Sequence, residues 1–392
     1  MKIRVCHIIT LLELGGAQQN TLYTVTHLDP SRFEPMLVTG AGGILSDDAR
    51  AAGVRAHFVE PLGREVSPGR DLAALAQITR LLRRERPDIV HTHSSKAGIL
   101  GRWAACLAGV KHIIHSIHGY GFNPTQPRLV REIYVSLERL TGRLATSAFV
   151  AVSRANLEEG LGLELFPEDR VTLIRSGIPL SDFRPRGEDG SEDGGAMARE
   201  RGKVTVGMVA CLKPQKAPVD FVRVAAIVMR ALRRERAAGG VRFLLVGDGE
   251  LRADVERAIQ KEGLSEHVEL AGWRRDVPDL LRGMDLLLHT SLWEGLPRVF
   301  PEAMATGLPI VATRVDGAPE AVEEGVNGYL LPPGDVEGLA RRTLELIRDA
   351  GLRRRMGAAA IARTAPWDID EMVRRQESLY EDLVAQDARA GA

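Results

Sequence analysis

Glu294-Gly-Leu-Pro-Arg-Val-Phe-Pro-Glu302 is the stretch of sequence that indicates most about the fold. The apolar run 284–289 before it is typical of a buried strand, and Pro301 favours the first turn of a helix. The stretch therefore predicts a strand, a loop that carries Glu294 and a helix start that carries Glu302. The first N–H groups of such a helix suit a phosphate, and an ionised carboxylate accepts several hydrogen bonds from sugar hydroxyls. Together these features predict a nucleotide-sugar site.

Short apolar runs alternate with amphipathic helical patterns along the whole chain, which indicates parallel sheets covered on both faces. The predicted strands are 3–9, 36–38, 56–59, 89–92, 112–116 and 148–152, then 204–209, 243–246, 268–270, 284–288 and 310–312. Between the two series lies a polar, glycine-rich segment that we interpret as a linker. The predicted parts are an N-terminal domain, a linker, a C-terminal domain and a last helical segment: 1–184, 185–203, 204–365 and 366–392. We expect two doubly wound, Rossmann-like α/β domains facing across a cleft at the carboxyl ends of their strands.

Length and composition agree with this division. The chain has 392 residues, of which 44% are hydrophobic and 27% charged, and this length predicts two domains of about 180 residues each. Lys+Arg and Asp+Glu both number 52, so the net charge gives no reason to expect a nucleic-acid partner. Cys6, Cys106 and Cys211 form no pairing pattern, which indicates a reducing cytoplasm. We expect no signal peptide and no membrane-spanning helix.

The order of motifs after Glu294 resembles one enzyme family. Glu-x7-Glu is followed by Ala303-Met-Ala305 and then by the segments 307–313, 316–320 and 327–335. This order resembles the retaining family-4 glycosyltransferases of the GT-B fold, in particular those that build capsule, exopolysaccharide or O-antigen. The resemblance extends over nearly the whole chain. It also implies that the last helical segment, 366–392, packs back across the domain junction.

The resemblance implies transfer of a hexose from a nucleotide-sugar, expected to be UDP-linked, to a hydroxyl of a saccharide or lipid-linked saccharide acceptor. Retention of the anomeric configuration is expected, with the leaving phosphate as the base. No cofactor and no metal are expected, since no Asp-x-Asp motif is apparent where a metal-dependent transferase would need one. The implied location is the cytoplasm, with peripheral contact at the inner face of an anionic membrane.

Several residues in the second half of the chain match positions that have known roles in the family. The resemblance implies that Glu302 holds the ribose and that Glu294 lies near the transferred sugar. The residues between them complete the donor loop: Gly295, Leu296, Pro297, Arg298 and Val299. Lys216 is expected to stabilise the leaving diphosphate.

The family pattern before this lysine is altered in two places. Cys211 stands where the family has arginine, and Ala217 where it has glycine. Cysteine cannot replace a bidentate guanidinium, and either Lys213 or Arg298 can supply the missing charge. Arg274, near Asp276, matches the loop that borders the base. Gly247-Asp-Gly249 lacks the third glycine of a dinucleotide fingerprint and predicts a tight turn.

The first half of the chain supplies a second group of candidate residues. Gly15 and Gly16 follow the first strand and open a helix, where backbone can approach a diphosphate closely. His118, before Gly119, matches the family histidine that reaches the transferred sugar. His112, His115 and His118 invite a metal interpretation, but no cysteine or carboxylate completes a site. For His91 and His93 we expect a strand-end packing or cleft-lining role.

Several alternatives remain at the level of sequence. The pattern of residues 127–143 predicts a helix with interleaved arginines and leucines, which is either an ordinary solvated helix or a surface that touches anionic lipid. A sugar-nucleotide epimerase would share the two-domain fold. A nicotinamide oxidoreductase is opposed by the missing glycine. A non-catalytic assembly subunit is supported by Cys211 alone.

Overall fold

The computed structural model describes residues 2–123, 126–185 and 202–390. It divides into two compact units. The first comprises Met1–Gly177 together with Ile369–Ala392, and the second comprises Ile178–Asp368. Each unit is built around one parallel sheet with helices between its strands.

The first unit has a seven-stranded sheet in the order β3-β2-β1-β4-β5-β6-β7. Its strands are β1 (Ile3–Ile9), β2 (Phe33–Thr39), β3 (Ala56–Phe58), β4 (Ile89–His93), β5 (His112–Ile117), β6 (Ala148–Ala151) and β7 (Val171–Leu173). Its helices before the second unit are α1 (Gly16–His27), α2 (Leu45–Ala51), α3 (Pro68–Glu85), α4 (Ser95–Ala108), α5 (Arg128–Leu144) and α6 (Arg154–Gly162).

The second unit has a six-stranded sheet in the order β10-β9-β8-β11-β12-β13. Its strands are β8 (Val204–Val209), β9 (Val241–Val246), β10 (Val268–Gly272), β11 (Leu286–His289), β12 (Ile310–Thr313) and β13 (Gly328–Leu331). Its helices are α7 (Pro218–Arg234), α8 (Arg252–Lys261), α9 (Val277–Arg282), α10 (Val299–Ala305), α11 (Ala318–Ala321), α12 (Val336–Arg348) and α13 (Ala350–Ile361).

Buried apolar strands between amphipathic helices explain both units. All four residues of β11 are buried, as expected of a central strand that is covered on both faces. One face of α7 packs with the neighbouring strands, and Phe221, Val228 and Met229 on that face are fully buried. Every strand that the sequence predicted is present. The edge strands β7 and β13 were not predicted.

The unit boundary differs from the sequence prediction. The chain enters the second unit at Ile178, before the predicted boundary at 184, because Ile178 and Phe183 are buried in the core of that unit. The predicted linker, 185–203, lies almost entirely outside the described residues. Among the residues that the structure describes, no helix is long and apolar enough to cross a membrane.

The last helix, α14 (Ile369–Ala390), belongs to the first unit. Its apolar face, including Met372, Val373 and Tyr380, packs into the core beside β1, β4 and β5. The Glu377 carboxylate on the same helix accepts a hydrogen bond from the backbone N–H of Asp29 at 2.7 Å. The chain thus returns to the first unit at Ile369, and packing of this segment across the domain junction stays a prediction.

Candidate active site

Glu294 lies in the loop between β11 and α10 and is buried. Its Oε1 accepts a hydrogen bond from Ser291 Oγ at 2.6 Å and lies 3.1 Å from His289 Nε2. The same oxygen forms an ion pair with Lys216 Nζ. The structure thus joins two of the predicted catalytic residues directly, at the carboxyl edge of the second sheet.

The Glu294 carboxylate is anionic at neutral pH. Burial by itself raises its pKa, but the Lys216 charge and the hydrogen bonds from His289 and Lys216 outweigh burial and lower the pKa to about 2. Burial also lowers the pKa of His289, which keeps this imidazole neutral. An ionised carboxylate accepts hydrogen bonds and has no proton to donate. Glu294 can therefore bind hydroxyl groups but cannot act as an acid.

Hydrogen bonds between two loops hold Lys216 beside Glu294, which lies 78 positions away in the sequence. Gln215 Nε2 donates to the carbonyl oxygen of Trp293 at 3.0 Å, and Leu292 N donates to the carbonyl oxygen of Gln215 at 2.7 Å. Thr290 Oγ1 donates to the carbonyl oxygen of Lys216 at 3.0 Å. These bonds hold the lysine loop against the end of β11.

Ala217 and Asp316 shape the backbone around this pair. Ala217 adopts a left-handed conformation with φ of 43°, which explains why the related pattern has glycine here. The backbone N–H of Glu294 donates to the Asp316 carboxylate, and Gly317 N donates to the carbonyl oxygen of Gly295 at 3.0 Å. The donor loop is thereby fixed on a second side.

Glu302 forms an ion pair with Arg298, in which Oε1 lies 3.0 Å from Nε. Burial raises the pKa of Glu302, and Arg298 partly opposes this rise. Burial likewise lowers the pKa of Arg298. Pro301 lies in the first turn of α10, as predicted. Because Arg298 is paired with Glu302, it is less suited than Lys213 to supply the positive charge of the family arginine, whose position is occupied by Cys211.

The remaining candidates in the second unit lie around this centre. Lys213 is half-buried and forms no ion pair with any residue that the structure describes. Arg274 is paired with Asp276, with Nε donating to Oδ1 at 2.7 Å. Gly247 has φ of 128°, and a Cβ there would lie 2.0 Å from the carbonyl oxygen of Ala210. Only a glycine lets the backbone at position 247 lie this close to Ala210, as the predicted tight turn requires.

In the first unit, Gly15, Gly16 and His118 all lie at the carboxyl edge of the sheet. Helix α1 begins at Gly16 with Gly15 as its N-cap, and His118 follows β5 directly. His118 Nε2 lies 3.1 Å from His93 Nδ1, and His93 Nε2 lies 3.0 Å from His7 Nδ1.

The predicted histidines of β4 and β5 lie buried in the first sheet, and His7 joins them. His91 and His93 are buried, and His115 Nδ1 contacts Thr92 Oγ1 at 2.9 Å. His7, His91 and His93 place one nitrogen each within 4.8 Å of one another. His7 was not predicted from the sequence, because β1 and β4 are far apart in the chain.

Ser291, His289 and Asp316 are site residues without a predicted role. His289 and Ser291 were signalled only by their position at or just after the carboxyl end of β11. Asp316 also opens the motif segment 316–320. Ligands of parallel sheets bind at that edge.

Comparisons with known proteins agree with this geometry. Residues 203–349 match the family model described as Glycosyl transferases group 1, and residues 14–182 match that of Glycosyltransferase Family 4. The chain is 31% identical over 385 residues to UDP-Gal:alpha-D-GlcNAc-diphosphoundecaprenol alpha-1,3-galactosyltransferase of Escherichia coli, and the alignment covers 98% of each protein.

Two solved structures share the fold. Anabaena Alr3699/HepE in complex with UDP and glucose aligns with a TM-score of 0.80 at 21% identity, covering 97% of this chain and 100% of that one. Sucrose-phosphate synthase from Thermosynechococcus elongatus aligns with a TM-score of 0.82 at 18% identity, covering 98% and 100%. The fold class predicted from the sequence is confirmed.

Proposed function

The chain belongs to glycosyltransferase family 4, and we propose that it transfers a hexose from a UDP-sugar to a hydroxyl of a lipid-linked saccharide, with retention of configuration. The observation that carries this proposal is the full-length likeness to a galactosyltransferase whose name specifies a UDP-Gal donor and a diphosphoundecaprenol-linked acceptor. The contact between Lys216 and Glu294 supports the proposal, because this contact places a cation and an ionised carboxylate together at the edge of one sheet.

In the proposed reaction, the bond between the anomeric carbon and the leaving diphosphate breaks. The acceptor oxygen forms the new bond on the same face of the sugar, and its proton passes to an oxygen of the leaving phosphate. Negative charge builds on the diphosphate, and Lys216 stabilises it. Glu294 accepts hydrogen bonds from sugar hydroxyls, since its low pKa keeps it ionised. The ribose is assigned to Glu302 by the family resemblance.

A lipid-linked acceptor fits the exposed face of α5. Five apolar side chains recur on this helix at intervals of three or four positions, and each is at least 36% exposed: Leu129, Ile133, Leu137, Leu140 and Leu144. Such spacing places them on one face. Arg128 and Arg143 are exposed on the same helix, and so is Glu132, while Glu138 is buried in an ion pair with Arg102. This pattern favours contact with an anionic bilayer.

A transfer assay tests the proposed reaction. UDP-Gal, UDP-Glc and UDP-GlcNAc are each incubated with GlcNAc-diphosphoundecaprenol, with and without a metal chelator. The expected product gains one hexose in its mass spectrum, has the anomeric configuration of the donor by NMR, and forms equally with chelator. Conversion of the donor without acceptor would instead indicate an epimerase, and an inverted product would contradict retention.

Two variants test the assignment of the cation. Lys216→Met is expected to abolish transfer. Lys213→Ala tests whether Lys213 supplies the charge of the family arginine, whose position is occupied by Cys211. If Lys213→Ala turns over as fast as the wild type, Lys213 has no such role. Nucleotide-sugar binding without transfer or hydrolysis would favour a non-catalytic subunit.

A vesicle assay tests the membrane surface. Sedimentation with vesicles of phosphatidylglycerol and phosphatidylcholine should retain the wild type and release the Leu129→Ser/Ile133→Ser variant. Leu72→Ser is the matched control, since Leu72 is 67% exposed on α3. Equal retention of the wild type and the α5 variant would contradict membrane contact by this helix.

A further inference from the structure

Three histidines on neighbouring parallel strands form a continuous hydrogen-bonded chain. His7 lies on β1, His93 ends β4 and His118 follows β5. His7 Nδ1 lies 3.0 Å from His93 Nε2, and His93 Nδ1 lies 3.1 Å from His118 Nε2. His7 and His93 are buried, whereas His118 is partly exposed. The chain therefore runs from the core to a surface that a ligand can reach.

The two ends of this hydrogen-bonded chain of histidines determine the direction in which its hydrogen bonds are donated. A neutral imidazole has one N–H and one bare nitrogen, so the three rings must all donate the same way. His7 Nε2 is buried and has no partner in the described part of the chain. If donation ran from His118 towards His7, His7 Nε2 would carry an unpaired buried N–H, and such groups are rare in proteins. Donation from His7 towards His118 leaves only a bare nitrogen there.

We propose that His93, anchored by His7, is a positioning residue that holds His118 as its Nδ1–H tautomer. His118 Nε2 then accepts from His93, and the nitrogen left for a ligand is Nδ1, which carries a hydrogen. Resting on the proposed function, this makes His118 a neutral hydrogen-bond donor to a substrate oxygen. It cannot take the acceptor's proton at Nδ1, which agrees with proton transfer to the leaving phosphate.

The charges and contacts of the cluster support hydrogen bonding over metal binding. Burial lowers the pKa of His7 to about 3 and that of His118 to about 4, so both rings are neutral at pH 7. Both nitrogens of His91 are engaged, with Nδ1 2.6 Å from Tyr380 Oη and Nε2 2.8 Å from Ser116 Oγ. The facing nitrogens of His7 and His93 are directed at each other, so neither is aimed at a shared ion.

The tautomer can be read directly by NMR of protein labelled with 15N-histidine. The 15N shifts of a ring separate its N–H from its bare nitrogen, and His118→Gln identifies the His118 signals. The wild type should carry the His118 hydrogen on Nδ1. In His93→Phe the hydrogen should move to Nε2, the form that a free imidazole prefers in water. Tyr380→Phe is the matched control, because it removes a buried hydroxyl that contacts His91 and leaves the hydrogen bonds between His7, His93 and His118 intact.

A wild-type His118 with its hydrogen on Nε2 would overturn the proposal without the need for any buried variant. An unchanged tautomer in His93→Phe, or stoichiometric zinc in the purified protein, would also overturn it. These measurements use the protein without substrate, so they stand even if the proposed function fails. Addition of UDP-galactose then tests the ligand role: the His118 Nδ1 signal should shift, and binding that leaves this signal unmoved would overturn that role.

Discussion

Replacement of Glu294 by glutamine removes the charge that faces Lys216 while it keeps the size of the side chain. Glutamine retains an oxygen that can accept from Ser291, and it resembles a glutamate that has been protonated. The Glu294 side chain is only 6% exposed and that of Lys216 only 16%. The cation therefore stays buried without its partner, and such a loss strongly destabilises a fold.

The pKa of Glu294 gives the magnitude. A fall from the ordinary 4.5 to about 2 corresponds to ~3 kcal/mol of free energy of unfolding, which is present well above pH 4.5. Because the pKa is lowered in the folded state, this stability is lost as the pH falls from 4.5 through 2. At pH 4 the loss is ~0.8 kcal/mol. The Glu294→Gln variant should be less stable by ~3 kcal/mol at pH 7, and this difference should narrow at pH 4.

Urea unfolding followed by tryptophan fluorescence measures this difference. Trp273, Trp293 and Trp367 lie in the second unit, so Trp103→Phe in both proteins confines the signal to the unit that contains the pair. Carboxylates distant from Glu294 titrate equally in the two proteins and cancel. A difference that stays constant between pH 7 and pH 4, or a variant as stable as the wild type, would refute the assigned interaction.

Three further predictions concern the same unit. Lys216→Met should weaken UDP binding about tenfold or more in calorimetry, because a charge-assisted contact contributes ~1.5–3 kcal/mol; an unchanged Kd would contradict this. Glu302→Gln should cost less free energy of unfolding at pH 7 than Glu294→Gln, because burial raises the pKa of Glu302 in the folded state whereas the pKa of Glu294 is lowered; an equal loss in the two variants would contradict this. Gly247→Ala should cost about 2 kcal/mol or more by urea unfolding, because its Cβ would meet a carbonyl oxygen. Gly263→Ala, with positive φ but open space around it, is the control and should cost less.

Local patterns predicted the elements that lie in the interior of each sheet. The run 284–289 and Pro301 predicted β11 and α10, because burial on both faces requires a continuous apolar strand and because proline fits the first turn of a helix. The edge strand β7 was missed for the same reason. Val171–Leu173 has three half-buried residues, too few and too exposed to give a clear apolar run.

The candidate site was predicted as a set of residues but not as a set of contacts. Glu294, Glu302 and Lys216 were recognised from motif order. The ion pairs of Glu294 with Lys216 and of Glu302 with Arg298 were not expected. The ion pair of Lys216 with Glu294 depends on the bonds that Gln215 and Thr290 make between two loops. No periodic pattern connects residues so far apart in the chain.

The sequence by itself determined the alternation of strands and helices, the two sheets and the identity of the donor-loop residues, because these depend on neighbours a few positions apart. Only the tertiary structure decided that the last helix completes the first unit, through the buried side chain of Tyr380. It also decided that His7, His93 and His118 form one chain, since parallel pairing places β4 between β1 and β5. Such contacts arise from strand order and burial, which a linear pattern of residues does not encode locally.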